Sequence, residues 1–203
     1  MKVYQISVGP MQNFTYIVED ESTQECIVID PSWDLEKLTE IINEQNLNPK
    51  YIVNTHWHDD HTRGNEELAA EISVKVVQHE ASELSNDMTV SDGDSIKFGC
   101  SELLVYHTPG HSKDSICLVG DGKIFSGDTL FVGNCGRIDL PGGSSKELYH
   151  SLFDVISKLD GNLVLYPGHD YGNANTSTIE REKKMNPVMQ PISEEDFVMR
   201  MGG

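Results

Sequence analysis

No stretch of this 203-residue chain is apolar for long enough to cross a bilayer. Its opening, Met1-Lys2 followed by Val3-Tyr4-Gln5-Ile6-Ser7-Val8, lacks the continuous apolar core and small-residue cleavage site of a secretory signal. A cytoplasmic location without a membrane partner is therefore expected. Cysteine is scarce. Cys26, Cys100, Cys117 and Cys135 form no CxxC pair, and Cys26 and Cys117 sit inside apolar runs that read as buried strands, which suits reduced thiols rather than a disulfide framework or a structural thiolate site. Basic residues are few: Lys and Arg number 15 against 33 Asp and Glu, a net charge of −18. A field of that sign repels a phosphate backbone, so nucleic acid is excluded as a primary substrate. Acidic stretches such as Glu19-Asp20-Glu21 and Glu194-Glu195-Asp196 read as solvated surface.

The length and a hydrophobic content of 37% suit one domain with a sizeable core, residues 1–203 as a single unit. Short apolar runs of strand character fall at about 3–8, 14–19, 26–30, 51–54, 74–78, 95–98, 102–107, 115–119, 123–127 and 163–166. Helical periodicity predicts helices over 34–46, with Leu35, Leu38, Ile41 and Ile42 on one face, over 64–72, and over 145–159 with Leu148, Leu152, Val155, Ile156 and Leu159. Ser193 and Asp196 predict the cap of a last short helix. Asn48-Pro49, Asp92-Gly93 and Asp121-Gly122-Lys123 read as turns, the last two as hairpin connections. Two runs of strands, each with helices attached, suggest two packed sheets flanked by helices.

The densest chemistry is Thr55-His56-Trp57-His58-Asp59-Asp60-His61, directly after the apolar run Tyr51-Ile52-Val53. In extended backbone, residues two apart share a side, so His56 and His58 face one cation while Asp60 and His61 turn toward a second. Imidazole and carboxylate are the ligands expected for zinc, iron or manganese. Three further candidates each follow a strand: His111 in Thr108-Pro109-Gly110-His111, Asp128 in Ser126-Gly127-Asp128-Thr129, and His169 in Tyr166-Pro167-Gly168-His169. Ligands delivered from strand ends sit on loops held by a rigid sheet, where chemistry is usually placed. His79, His107 and His150 lie outside these motifs and are expected to be structural or on the surface.

The pattern His56-x-His58-x-Asp60-His61, then His111, Asp128 and His169, resembles the metallo-β-lactamase superfamily, an αββα sandwich with its metals at one edge. The resemblance implies two divalent metal ions, zinc and/or iron: His56, His58 and His111 on one, Asp60, His61 and His169 on the other, Asp128 bridging. It also gives Asp60 a catalytic part in orienting hydroxide. A carboxylate at Asp128 is the pattern of glyoxalase II-like thioesterases, whereas zinc β-lactamases place cysteine or serine there, so antibiotic hydrolysis is disfavoured as the main activity. His61-Thr62-Arg63-Gly64-Asn65-Glu66 is similar to glyoxalase II. Gly133-Asn134-Cys135-Gly136-Arg137-Ile138-Asp139 and Leu165-Tyr166-Pro167-Gly168-His169-Asp170-Tyr171 look more like persulfide dioxygenases, in which one Fe(II) is held by the counterparts of His56, His111 and Asp128. Arg137 then steers an anionic substrate or pairs with Asp139, and Cys135 is expected to pack. The chain ends soon after His169, where glyoxalase II continues into a helical domain that binds glutathione. The resemblance thus implies a hydrolase of thioesters or similar esters first, and a persulfide dioxygenase as the alternative. Either takes a small-molecule substrate, and a second copy of the chain, as a homodimer, is the one macromolecular partner left open.

Overall fold

A computed structural model describes residues 1–190 and 193–202. Two six-stranded sheets make up the centre, in strand orders β1-β2-β3-β4-β5-β6 and β12-β11-β10-β9-β8-β7. The first holds β1 (Lys2–Val8), β2 (Asn13–Glu19), β3 (Glu25–Ile29), β4 (Asn48–Val53), β5 (Lys75–His79) and β6 (Met88–Val90). The second holds β7 (Ser95–Phe98), β8 (Ser101–His107), β9 (Ile116–Gly120), β10 (Lys123–Gly127), β11 (Val164–Pro167) and β12 (Ser177–Thr178). Both are mixed: β3, β4, β5 and β6 run parallel, as do β10 and β11, and the remaining pairs are antiparallel.

Strand alternation explains the layering. Phe14, Tyr16 and Val18 of β2, Ile27 and Ile29 of β3, and Leu118 and Phe125 from the second sheet meet between the sheets. Their neighbours Ile17, Cys26, Val28 and Ile52 point the other way, onto Leu38 and Ile42 of α1 (Leu35–Glu44) and Leu68 of α3 (Asn65–Ile72). On the far side, Cys117, Ile124 and Leu165 pack on Leu148, Ile179 and Phe197. These come from α4 (Ser145–His150), α5 (Ile179–Met185) and α6 (Glu194–Arg200). The result is an αββα sandwich whose strands are apolar on both faces because both faces are covered.

Three expectations change. Asn48-Pro49 is no turn but the start of β4, where a missing N–H is tolerated because pairing to β5 begins only at Tyr51. Asp92-Gly93 joins no hairpin: β6 belongs to the first sheet and β7 to the second, so this turn carries the chain across the sandwich. The helix expected over 145–159 is α4 followed by a wide π turn at Ser151–Val155 and a 3₁₀ turn at Ile156–Lys158. Leu148, Leu152 and Ile156, all fully buried, are spaced by four, and the widened turn keeps that spacing on one face. Asp121-Gly122 does close the β9–β10 hairpin, both residues with positive φ, and the Ser193 side chain caps α6 through the Asp196 N–H. The strand β6, the four-residue turn α2 (Asp59–Thr62) and α5 were not foreseen.

At the end of the sandwich away from the His-rich loops Asp20, expected to be solvated surface, is 2% exposed and clasps the two sheets. Its carboxylate accepts hydrogen bonds from Ser22 and Thr23 on its own turn and from the Cys100 N–H at 2.8 Å and Ser101 Oγ at 2.7 Å across the gap. Ser22 and Ser101 above all hold its pKa well below the carboxylate range. A depressed folded pKa means that the stabilisation is fully present above the unfolded value of about 3.9 and is lost as pH falls below it. Asp20→Asn should therefore unfold at lower urea than the parent at pH 7, with the gap closing below about pH 4. Phe125→Ala, which empties a fully buried inter-sheet position edge-on to Tyr16 at 5.2 Å, should cost about 3–5 kcal/mol in the same urea titration at pH 7.

Candidate metal centre

The histidine motif lies where β4 ends. Beyond Val53 the chain bends at Thr55-His56, is extended at His58 and then closes the single turn α2, with the His61 N–H bonded to the His58 carbonyl at 2.9 Å. This turn separates the motif into two groups. His56 and His58 gather with His111, while Asp60 and His61 gather with His169, each trio offering ligand atoms within 4.8 Å of one another. Asp59 points to solvent, 80% exposed, and pairs with Arg63.

Asp128 joins the groups. One carboxylate oxygen lies 3.4 Å from Nε2 of both His111 and His169, and the other lies 3.4 Å from His61 Nε2. The Gly168 N–H bonds the Gly127 carbonyl at 2.8 Å, prolonging the β10–β11 pairing by one step and setting His169 beside Asp128. Two glycines permit the close packing. A Cβ on Gly136 would sit 2.2 Å from the Asp128 carbonyl and 2.8 Å from His111 Nδ1, and one on Gly127 would sit 2.4 Å from Thr55 Oγ1.

Three of the five imidazoles are oriented from behind. His111 Nδ1 donates to the Arg137 carbonyl at 2.6 Å, His169 Nδ1 to the Met11 carbonyl at 3.0 Å, and His61 Nδ1 to Asp30 Oδ2 at 3.0 Å, which turns all three Nε2 atoms inward. Asp30 also accepts from the Thr55 N–H at 2.7 Å and Thr55 Oγ1 at 2.6 Å. Asn13 donates to Asp60 Oδ2 at 3.0 Å. Sequence reasoning missed Asp30 and Asn13. Asp30, at a strand end before Pro31 like the other candidates, was the readable signal.

Burial acts first on every group here. It drives the His56 pKa well down, with His61 adding to it, and takes His58 to about 4, with His111 adding to it. For His169 burial is overcome by Asp128 and Asp60, which push it up to about 10, and for His61 by Asp128 and Asp30, which raise it. Burial would raise Asp128 and Asp60, yet the facing histidines hold both below the carboxylate range. His56 Nε2, His58 Nε2 and Asp128 Oδ1 are buried without a hydrogen-bond partner. His56 Nε2 and Asp128 Oδ1 left without partners, with His58 Nδ1 only 2.9 Å from His111 Nε2, form a donor set that fits a divalent cation.

A pocket of about 290 Å³ opens onto these atoms, walled by Met11, Phe131, Leu140 and Tyr171. Tyr171 stacks on His169 with ring centres 4.5 Å apart. Arg137 stands on the wall, its guanidinium paired with Asp139 through two contacts of 2.5 Å. Cys135 is 6% exposed, and burial pushes its thiol up to about 12. Outside the site, His79 stacks on His107 at 4.0 Å and His150 pairs with Asp154 at 2.6 Å. No helix among the described residues is long and apolar enough to cross a membrane.

Residues 8–169 match the family described as the Metallo-beta-lactamase superfamily. The mitochondrial persulfide dioxygenase ETHE1 of Homo sapiens is 36% identical over 193 residues, covering 93% of this chain and 76% of that protein. A hydroxyacylglutathione hydrolase of Tolumonas auensis is 35% identical over 202 residues, covering 92% and 77%. The crystal structure of ETHE1 from Myxococcus xanthus superposes with a TM-score of 0.95 at 30% identity, over 100% of this chain and 91% of that one. Likeness of sequence and of backbone along nearly the whole chain points one way, and the chain belongs to the metallo-β-lactamase superfamily of metal-dependent enzymes.

Proposed function

We propose that the protein is a persulfide dioxygenase, adding both oxygen atoms of dioxygen to the terminal sulfur of a low-molecular-weight persulfide. Thioester hydrolysis, the first expectation from sequence, becomes the second reading. The observation that carries this order is the likeness to the persulfide dioxygenases, 36% in sequence to the human protein and 0.95 in TM-score to the bacterial structure. The hydrolase reading keeps the support of the 35% identical hydroxyacylglutathione hydrolase and of the second trio, Asp60, His61 and His169.

In the favoured reading His56, His111 and Asp128 would hold one Fe(II), a two-histidine, one-carboxylate set, and the iron would supply one-electron chemistry with dioxygen. His111 and Asp128 already approach at 3.4 Å, and the His56 and His111 rings lie 4.9 Å apart. His58, Asp60, His61 and His169 then orient these three and set the charge around them. Met11, Phe131, Leu140 and Tyr171 would give the sulfur an apolar flank. Arg137 takes the substrate's anionic group in exchange for Asp139, an exchange that costs little because solvent screens this exposed ion pair. In the hydrolase reading the same seven residues hold two metals, and Asp60 orients a hydroxide.

Protein purified without chelator, air or added metal should contain one iron per chain and consume oxygen with glutathione persulfide. Close to two metals per chain, with thioester cleavage and no oxygen uptake, would sink the dioxygenase reading. Asp128→Ala should lose iron by more than the roughly 10–100-fold typical of an outer partner, whereas His58→Ala should keep one iron per chain with affinity reduced within that range. Loss of half of a two-metal complement in His58→Ala, read by elemental analysis, would favour the dinuclear arrangement.

A further inference from the structure

Between Asp128 and Arg137 the chain leaves the histidine cluster, turns over Phe131–Asn134 and returns. Both ends of this loop are tied to the cluster: the Gly136 N–H bonds the Asp128 carbonyl at 2.9 Å, and the Arg137 carbonyl accepts from His111. The tip is closed by the Phe131 N–H on the Asn134 carbonyl at 2.9 Å, with Gly133 at φ 79°. It delivers Phe131 to the pocket wall, edge-on to His169 at 5.7 Å and to Tyr171 at 5.5 Å. A Cβ on Gly172 would sit 2.7 Å from Val132 Cβ, so the tip also abuts the chain just after Tyr171.

Phe131 and Asn134 pair with each other outside both sheets, so no strand holds the tip. The hold comes from the end of α5. Glu182, 2% exposed, accepts the Gly133 N–H at 2.8 Å and the Asn186 amide at 2.9 Å on one carboxylate oxygen, and the Ser177 hydroxyl of β12 on the other. Asn186, fully buried just past α5, gives its second amide N–H to the Asn134 carbonyl at 3.0 Å, with the Phe131 carbonyl 3.3 Å away. A buried carboxylate is costly unless its oxygens are answered, and three donors answer this one.

We propose that Glu182 and Asn186 are positioning residues for the pocket: from α5 they fix the Phe131–Asn134 tip, and through it the aromatic wall that Phe131 and Tyr171 make beside His169. This rests on the pocket as the place where substrate binds and is indifferent to which reaction follows. A wall carried by an untethered turn must be ordered each time substrate binds, whereas a wall tied to a packed helix is ordered beforehand.

The test follows alkylation of the cysteines by N-ethylmaleimide in the folded protein, resolved by peptide mass spectrometry. Cys135, 6% exposed and next to the tip, reports local opening, Cys117, fully buried in the core, reports global unfolding, and exposed Cys100 reacts in every variant. Glu182→Ala removes the bonds to Gly133 and Asn186 and should speed Cys135 labelling about 10–100-fold with Cys117 changed far less. Asn186→Ala, which spares the carboxylate, should act in the same direction. Glu182→Gln keeps an oxygen for Gly133 and Asn186, and the Ser177 hydroxyl can turn to accept from the new amide, so Cys135 should label near the parent's rate. In oxygen uptake, KM for glutathione persulfide should rise more than kcat falls in both alanine variants, with iron content kept. Cys135 and Cys117 accelerating in step, Cys135 unchanged in both alanine variants, or Glu182→Gln labelling as fast as Glu182→Ala would overturn the proposal. A parent that takes up no oxygen would instead overturn the reaction proposed above, and the labelling would still decide this one.

Discussion

The carboxylate of Asp128 is the point around which the open edge is arranged. At 6% exposure it would be costly alone, and three imidazole nitrogens at 3.4 Å are what make it tolerable. Those imidazoles repel one another when protonated, so they in turn depend on the acids. Asp30 sits behind His61, Asp60 stands beside His169, and Asp128 lies between. The cluster is stable as a balanced set of charges, and removal of any member leaves the others buried and unanswered.

Such a balance requires positions fixed to fractions of an ångström, and the sandwich supplies them. β4, β10 and β11 are covered on both faces and cannot slip, since a one-residue shift would turn Ile52, Ile124 or Leu165 from helix layer to inter-sheet core. The side chains that follow these strands inherit that rigidity. Backbone carbonyls of Met11 and Arg137 complete the fixing by turning His169 and His111, so main-chain groups help to define the tautomers.

Much of this could be read from the chain. The spacing of the first four polar residues, the repeated strand-then-ligand arrangement and the doubly apolar strands carried the fold and the gathering of His56, His58, Asp60, His61, His111, Asp128 and His169. Less legible were features that exist only once sheets are paired. Asp30 is an ordinary acid in sequence and becomes part of the site because β3 lies beside β4. Asp92-Gly93 has the composition of a hairpin, and only the sheet assignments show it crossing between layers. Local pattern reports which residues lie on a strand, whereas a site is made by which strands are neighbours.

The choice between hydrolysis and oxygenation is where that limit is sharpest, because the same seven side chains serve either. What differs is the demand placed on the surroundings. A hydrolase needs water at the reacting atoms. A dioxygenase handling a reactive sulfur gains from excluding it. Here the wall of Met11, Phe131, Leu140 and Tyr171 is largely apolar, and the buried Cys135 beside it is held as a neutral thiol that does not compete as a nucleophile. Arg137 on the wall is already paired with Asp139 at the surface, where exchanging one anion for another is nearly free. A largely apolar wall with an exchangeable anion contact beside it suits a small anionic sulfur compound, and a persulfide and a thioester of the same thiol carrier both meet that description.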